Sequence, residues 1–246
     1  MTIIRCAALL LWLVVAGTAQ ADTKLKAVAD DWPPFSGPDL PNQGISLDVI
    51  GTVLRRAGYE VETEILPWAR VIDGAKRGSH DIVGSLFFDP AIAAFMTYGD
   101  SFFSTDVKFV QRLGTSHDVT SLTALKPYSI AVGEGFLYEE DFDRAEFLNK
   151  IVVTTALQAL QMVAYERADL TLDSEEVVRY AIQVGDPAIA GKLQIMDHVL
   201  ASHDIHMAIR SDHPDRDRIV ADFNRTLAEM RADGSLAALL AAHVVK

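Results

Sequence analysis

Residues 67–103 read PWARVIDGAKRGSHDIVGSLFFDPAIAAFMTYGDSFF, and this stretch decides the fold. Trp68, Val71, Ile72 and Ala75 recur at i, i+3, i+4 and i+7, which predicts an amphipathic helix. Gly78 supplies a left-handed stop, with Lys76 and Arg77 in the last turn. The apolar run Ile82 to Phe88 has the length of a buried strand. Asp89-Pro90 reads as the cap and first residue of another helix. A polar break from Thr97 to Ser101 precedes two adjacent aromatics, Phe102 and Phe103. Alternating helix and strand mark an α/β chain.

Upstream, Lys24–Ala29 is expected to be the first strand, and Trp32-Pro33-Pro34-Phe35 a rigid turn. Ile50, Val53, Leu54 and Ala57 keep a helical period that Gly58 ends, and 59–66 alternates as a half-buried strand. Downstream, strands are expected at Val107–Arg112, Ser129–Gly133, Ile151–Val153, Asp169–Asp173 and Ile205–Arg210. Helices are expected at Glu139–Phe147, after a Thr154 or Thr155 cap, at Glu175–Val184, and along Ile219, Phe223, Leu227 and Met230. One unit repeats: helix, short turn, Asp81, apolar strand is echoed by helix, short turn, Asp169, apolar strand. The echo predicts two similar lobes.

The first 21 residues read as a cleavable signal peptide. Arg5 precedes the apolar core Ala7–Ala16, and Ala19-Gln20-Ala21 is a small-x-small cleavage site. The core is too short to span a membrane. Cys6 is the sole cysteine, so the exported chain forms no disulfide. The formal net charge is −12, which argues against nucleic acid and anionic lipid as partners. Half of the residues are apolar, enough for two cores.

The central stretch resembles the bacterial extracellular solute-binding proteins of family 3. Their pattern here is L-x-x-G-x-x-D, a strand, T-P-E-R, then F-S-x-P-Y-Y. Gly78, Asp81, Pro90, Tyr98, Asp100 and Phe102-Phe103 fall on it in order. Gly44 to Val49 resembles the family's G-F-D-x-D-L, Ser121 to Lys126 its S-L-x-D-L-K, and Asn224, Leu227 and Asp233-Gly234 its C-terminal helix. The resemblance implies a two-lobed α/β periplasmic binding fold of type II with a two-strand hinge. Lobe one would be 22–110 plus 206–246, and lobe two 111–205, with the ligand cleft between them. One position departs: the family's carboxylate-gripping arginine falls at Ile92, and no arginine occurs from Gly78 to Gln111.

The resemblance also implies site residues. Asp173 matches the second-lobe aspartate that binds a ligand ammonium, a group with three donors for a carboxylate to accept. Its other reading is a helix cap. Trp32 and Trp68 match cleft aromatics, whereas Phe35 is expected in the core. Ser85, Phe87 and Phe88 stand at the strand end that meets the ligand. Gly135-Phe136 matches a turn where the family usually has Gly-Thr, so a second carboxylate contact is missing. Arg70 is a substitute for the lost arginine or else a solvated surface residue. An unpaired buried carboxylate costs several kcal/mol, so an ordinary α-amino acid fits this cleft poorly. Glu134, Glu139, Glu140 and Asp141 suit a cation or form a solvated acidic face.

His198, His203 and His206 raise a metal reading, but His-x-x-His in a strand points to opposite faces. No metal and no cofactor are expected. The leading function is a monomeric periplasmic protein, not an enzyme, that captures a small polar, amine-bearing or aromatic solute. Its partners would be the membrane subunits of an ABC-type importer or a periplasmic sensor. The alternatives are an accessory protein with a degenerate cleft that binds a partner protein, and a dehydratase-like enzyme on the same scaffold.

Overall fold

The computed structural model describes residues 24–243. The leader read at 1–21 lies outside them. The first half runs β1 (Lys24–Ala29), α1 (Ile45–Arg56), β2 (Glu60–Ile65), α2 (Trp68–Arg77), β3 (Ile82–Leu86), α3 (Pro90–Ala93) and β4 (Met96–Tyr98). Then come β5 (Phe103–Arg112), β6 (Ser129–Gly133), α4 (Glu140–Arg144), β7 (Asn149–Val153), α5 (Ala156–Ala164), β8 (Leu170–Ser174) and α6 (Glu175–Tyr180). β9 (Leu193–Arg210), α7 (Arg216–Ala232) and α8 (Ser235–Ala242) close the order.

The helix ends form where the sequence places them. Gly78 is left-handed at φ 69° and ends α2. Asp89 accepts from the Ala91 N–H and starts α3. Thr155 accepts from the Gln158 N–H and starts α5. The helix at 175–184 stays regular only to Tyr180 and then widens into a π-type turn over Ala181–Gly185.

The strands follow the order β2-β1-β3-β9-β5-β8-β6-β7, with β4 also on β9. From either outer edge the same series appears: two parallel pairings, then an antiparallel one. The repeated aspartates hold equivalent joints. The Asp81 carboxylate accepts from the Lys26 N–H of β1 at 3.0 Å. The Asp169 carboxylate accepts from the Ser129 N–H of β6 at 2.8 Å. Each thus closes the start of a parallel pair, where the ladder runs out of carbonyls.

Each half has helices on both faces of its sheet. In the first, Leu47, Ile50, Phe223 and Leu227 pack with Ile209 on one face. Val71, Ile92 and Met96 pack with Val28 and Val83 on the other. In the second, Phe142 and Leu125 pack with Phe109 and Leu172 on one face, and Leu160 and Val163 with Val110 on the other.

The crossing strands are longer than the sequence pattern predicts. Val107–Arg112 and Ile205–Arg210 are the ends of β5 and β9, which pair antiparallel from Phe103↔Ile205 to Arg112↔Leu193. Alternation fails to reveal 193–204 because apolar residues, Leu193 and Ile195 against Met196 and Leu200, stand on both faces of the strand. By plain alternation Leu193 and Ile195 face one core, while Met196 and Leu200 face the other.

The Asp169 joint gives a pH-dependent expectation. Hydrogen bonds from Ser129 hold its carboxyl below the usual 3.8. A lowered value contributes stability above 3.8 that fades as pH falls through the folded value. Asp169→Ala is expected to cost about 1 kcal/mol in urea unfolding at pH 7. The gap should narrow toward about pH 3; an equal gap at both pH values contradicts this role.

Candidate functional site

The parallel strands of both halves point their carboxyl ends at one cavity of about 290 Å3. Asp30 and Trp32 follow β1, and Ser85, Leu86 and Phe87 form the end and exit of β3. Gly135, Phe136 and Tyr138 follow β6, and Asp173 and Ser174 end β8. α2 contributes Trp68, Ile72 and Lys76, and α3 contributes Ile92.

Of the residues expected from sequence, Trp32, Trp68, Ser85, Phe87, Gly135, Phe136 and Asp173 come together in this wall. Arg70 and Phe88 do not. Arg70 stands two residues from Trp68, so the helix turns it away from the cavity, and its side chain is exposed. Phe88 alternates outward from Phe87, is 62% exposed, and tilts against Tyr98 with ring centres 5.2 Å apart. Phe35 is fully buried beneath Trp32, with ring centres 4.6 Å apart. The acidic residues Glu134, Glu139, Glu140 and Asp141 lie outside the wall.

Asp173 joins the halves. Its Oδ1 accepts from the Trp32 indole Nε1–H at 3.2 Å and from the Ser174 backbone N–H at 2.7 Å. Ser174, not Asp173, occupies the cap position of α6. Burial pushes the Asp173 carboxyl up to about 7, against the two hydrogen bonds, and the nearby Asp30 charge adds to the rise. Burial likewise lifts Asp30 to about 6. Two carboxyl groups in one apolar cavity repel as anions, which disfavours ionising both.

Backbone irregularities shape the wall. Ser85 adopts φ 58° where β3 slips register between Val83 and Leu86. A serine in the left-handed region is strained, and its Oγ is held at 3.1 Å from Ser36 Oγ. Across the cavity, a side chain on Gly133 would begin 2.4 Å from the Phe136 ring, so only glycine lets that ring fold onto the strand end. Trp32 meets Phe87 edge-on at 5.5 Å, and Phe87 stacks on His203 at 4.5 Å.

The histidines take separate partners. His203 Nε2–H donates to the Tyr138 carbonyl at 2.5 Å, and His206 Nδ1–H donates to the Gly99 carbonyl at 2.9 Å. Among the described residues no three metal-ligating side chains gather. The sequence reading missed Asp30, Ile72, Lys76 and Tyr138. Ile72 and Lys76 were legible as the i+4 and i+8 positions of the helix face that begins at Trp68. Asp30 stood at the end of the first expected strand. Nothing local marks Tyr138.

The family model described as bacterial extracellular solute-binding proteins, family 3, matches residues 26–246. A search of curated proteins finds no match. Among solved structures, a histidine kinase sensor domain similar to periplasmic binding proteins is 18% identical with a TM-score of 0.80, covering 91% of this chain and 96% of its own. A mutant of the arginine-binding protein ArgBP from T. maritima is 18% identical with a TM-score of 0.74, covering 88% and 93%. An ancestral amino acid-binding protein, a precursor of cyclohexadienyl dehydratase, is 21% identical with a TM-score of 0.70, covering 88% and 92%. At these identities the likeness establishes the fold, the two-lobed α/β architecture of periplasmic binding proteins.

The raised Asp173 carboxyl predicts a stability profile for the protein without ligand. The folded state holds this proton up to about 7, whereas the unfolded chain releases it near 3.8. Stability attributable to the group therefore falls as pH rises through that window and stays low above it. Asp173→Asn keeps an acceptor for the Trp32 indole and never ionises. It is expected to be more stable than the parent at about pH 8 by on the order of a few kcal/mol. Thermal unfolding should show that advantage vanishing by about pH 4; a constant difference rules out a buried ionising Asp173.

Proposed function

The chain belongs to the bacterial extracellular solute-binding proteins of family 3, and from that premise we propose that it is a periplasmic receptor for a small amine-bearing solute with an apolar or aromatic body. The carrying observation is the Asp30 and Asp173 carboxyl pair inside a wall of Trp32, Trp68, Phe87 and Phe136. An ammonium between the carboxylates supplies the charge they lack, and its three donors satisfy oxygens that burial strips of water. The aromatic rings hold the body and add cation–π attraction.

Ile92 supports the same choice. It lines the cavity and is buried among Val71, Leu86 and Met96. An α-carboxylate against this side chain would be desolvated without a bidentate partner. On this reading the residues act by binding alone, with no catalytic role.

Residues 22–110 with 206–246 form one lobe in this proposal, and 111–205 the other. Bending of β5 and β9 opens the cleft, and closure brings Trp32 onto Asp173 and Trp68 onto Gly135. The segment 1–21 directs export to the periplasm. The closed form is then read by an ABC-type importer or a sensor.

The test is thermal unfolding of the exported protein with aliphatic and aromatic amines, α-amino acids and dicarboxylic acids. At about 100 times the dissociation constant a true ligand stabilises by roughly 2.7 kcal/mol. Amines are expected to be the hits, Asp173→Asn to abolish them, and affinity to weaken below about pH 7 as Asp173 takes up its proton. Dicarboxylate hits without amine hits would overturn the reading. No hit at all would move the weight to an accessory protein with a protein partner, sought next by pull-down.

A further inference from the structure

α2 lays one stripe along the cavity. Trp68, Ile72 and Lys76 are spaced at i, i+4 and i+8, and all three line it. Eight residues of helix advance about 12 Å, so the stripe spans the length of a small solute. Its two ends differ in chemistry. Trp68 approaches the second half, its indole 3.9 Å from where a side chain on Gly135 would begin. That is the end where the halves meet, bridged also by Trp32 and Asp173. Lys76 stands at the other end, its ammonium 5.1 Å over the ring of Phe95, which also lines the cavity.

Lys76 is the cation of this wall. Among the described residues it enters no ion pair, although its neighbour Arg77 is tied to Asp73. The carboxylate of Asp89, also in the wall, accepts from the Ala91 N–H. Resting over an aromatic ring, the Lys76 ammonium keeps donors available toward the cavity.

We propose that Lys76 is the specificity-determining residue for an anionic group on the ligand, and that the preferred ligand carries this group at the far end of an apolar body from its amine. The inference rests on the amine-receptor reading and narrows it. In an α-amino acid both charges sit on one carbon, so a molecule whose ammonium lies between Asp30 and Asp173 holds its carboxylate beside Ile92 or the aromatic wall. A solute with separated charges reaches Asp173 and Lys76 together. A lysine acts as a point charge with rotatable donors, so carboxylate, sulfonate and phosphate are all served without the fixed fork an arginine demands.

Isothermal titration with three probes tests this. 4-(Aminomethyl)benzoate separates amine and carboxylate across a ring, 4-methylbenzylamine lacks the anion, and phenylalanine carries both charges on one carbon. Because Lys76 is exposed to solvent, the benzoate is expected to bind roughly two- to fivefold more tightly than the methylbenzylamine. Lys76→Met should bring that ratio close to one, Lys76→Arg should preserve it, and added salt should shrink it. A ratio near one in the parent protein, or one that survives Lys76→Met, overturns the assignment while methylbenzylamine binding leaves the amine-receptor reading standing. If none of the probes binds, both fall.

Discussion

The antiparallel pairing of β5 with β9 is the constraint on which the molecule depends. Both halves build their sheets outward from it, one from β9 through β3, β1 and β2, the other from β5 through β8, β6 and β7. Parallel strands need long crossovers, and here those are the helices that cover the faces. The carboxyl ends of the parallel strands in both halves therefore converge on one place. The cavity follows from the topology, and Asp81 and Asp169 fix the two halves in equivalent register. The register slips in the β5–β9 ladder have a mechanical meaning as well. They loosen the regular pleat along the two long strands that the halves share.

Inside the cavity the governing term is desolvation. Asp173 has two hydrogen bonds that favour its ionised form, and burial still outweighs them. A buried carboxyl that has lost water and gained no counter-charge lowers stability at neutral pH. The Trp32 indole N–H offsets only part of this, because one neutral donor does not replace a hydration shell. The same residue that joins the halves is thus a buried carboxyl without a counter-charge, which is the feature the proposed amine ligand would complete.

Much of the fold was legible because period and punctuation agree. The α2 face, Gly78, the Asp89 cap and the Asp81–Asp169 echo each correspond to a feature of the structure. The long β9 was not, since both of its faces carry apolar residues over 193–204 and meet different cores, which hides the alternation. At the site, the residues at strand ends were legible through their family motif. Arg70 misled because it was chosen by charge and its place near a helix start, whereas the helical period sends it outward. Lys76, on the correct period, was passed over as part of a C-terminal turn. Phe88 misled for the complementary reason: adjacent aromatics at a strand end alternate, so only Phe87 faces inward. Tyr138 depends on how a turn folds after β6, which no local pattern encodes.

Isoleucine at position 92, where the sequence resemblance implies an arginine, admits two accounts, decay of the cleft or a difference in what it holds. Decay relaxes selection on every costly group at once. Buried carboxyls and a strained Ser85 are such groups, and substitution at them generally relieves desolvation or strain. Asp30, Asp173 and Ser85 are all present in this chain and line one cavity. Position 92 itself holds neither a small residue nor a gap. Ile92 packs into a continuous apolar wall with Ile72 and Phe95. Two buried carboxyl groups, an aromatic wall and a fitted hydrocarbon at position 92 together support the proposed receptor, whose ligand would differ from an α-amino acid.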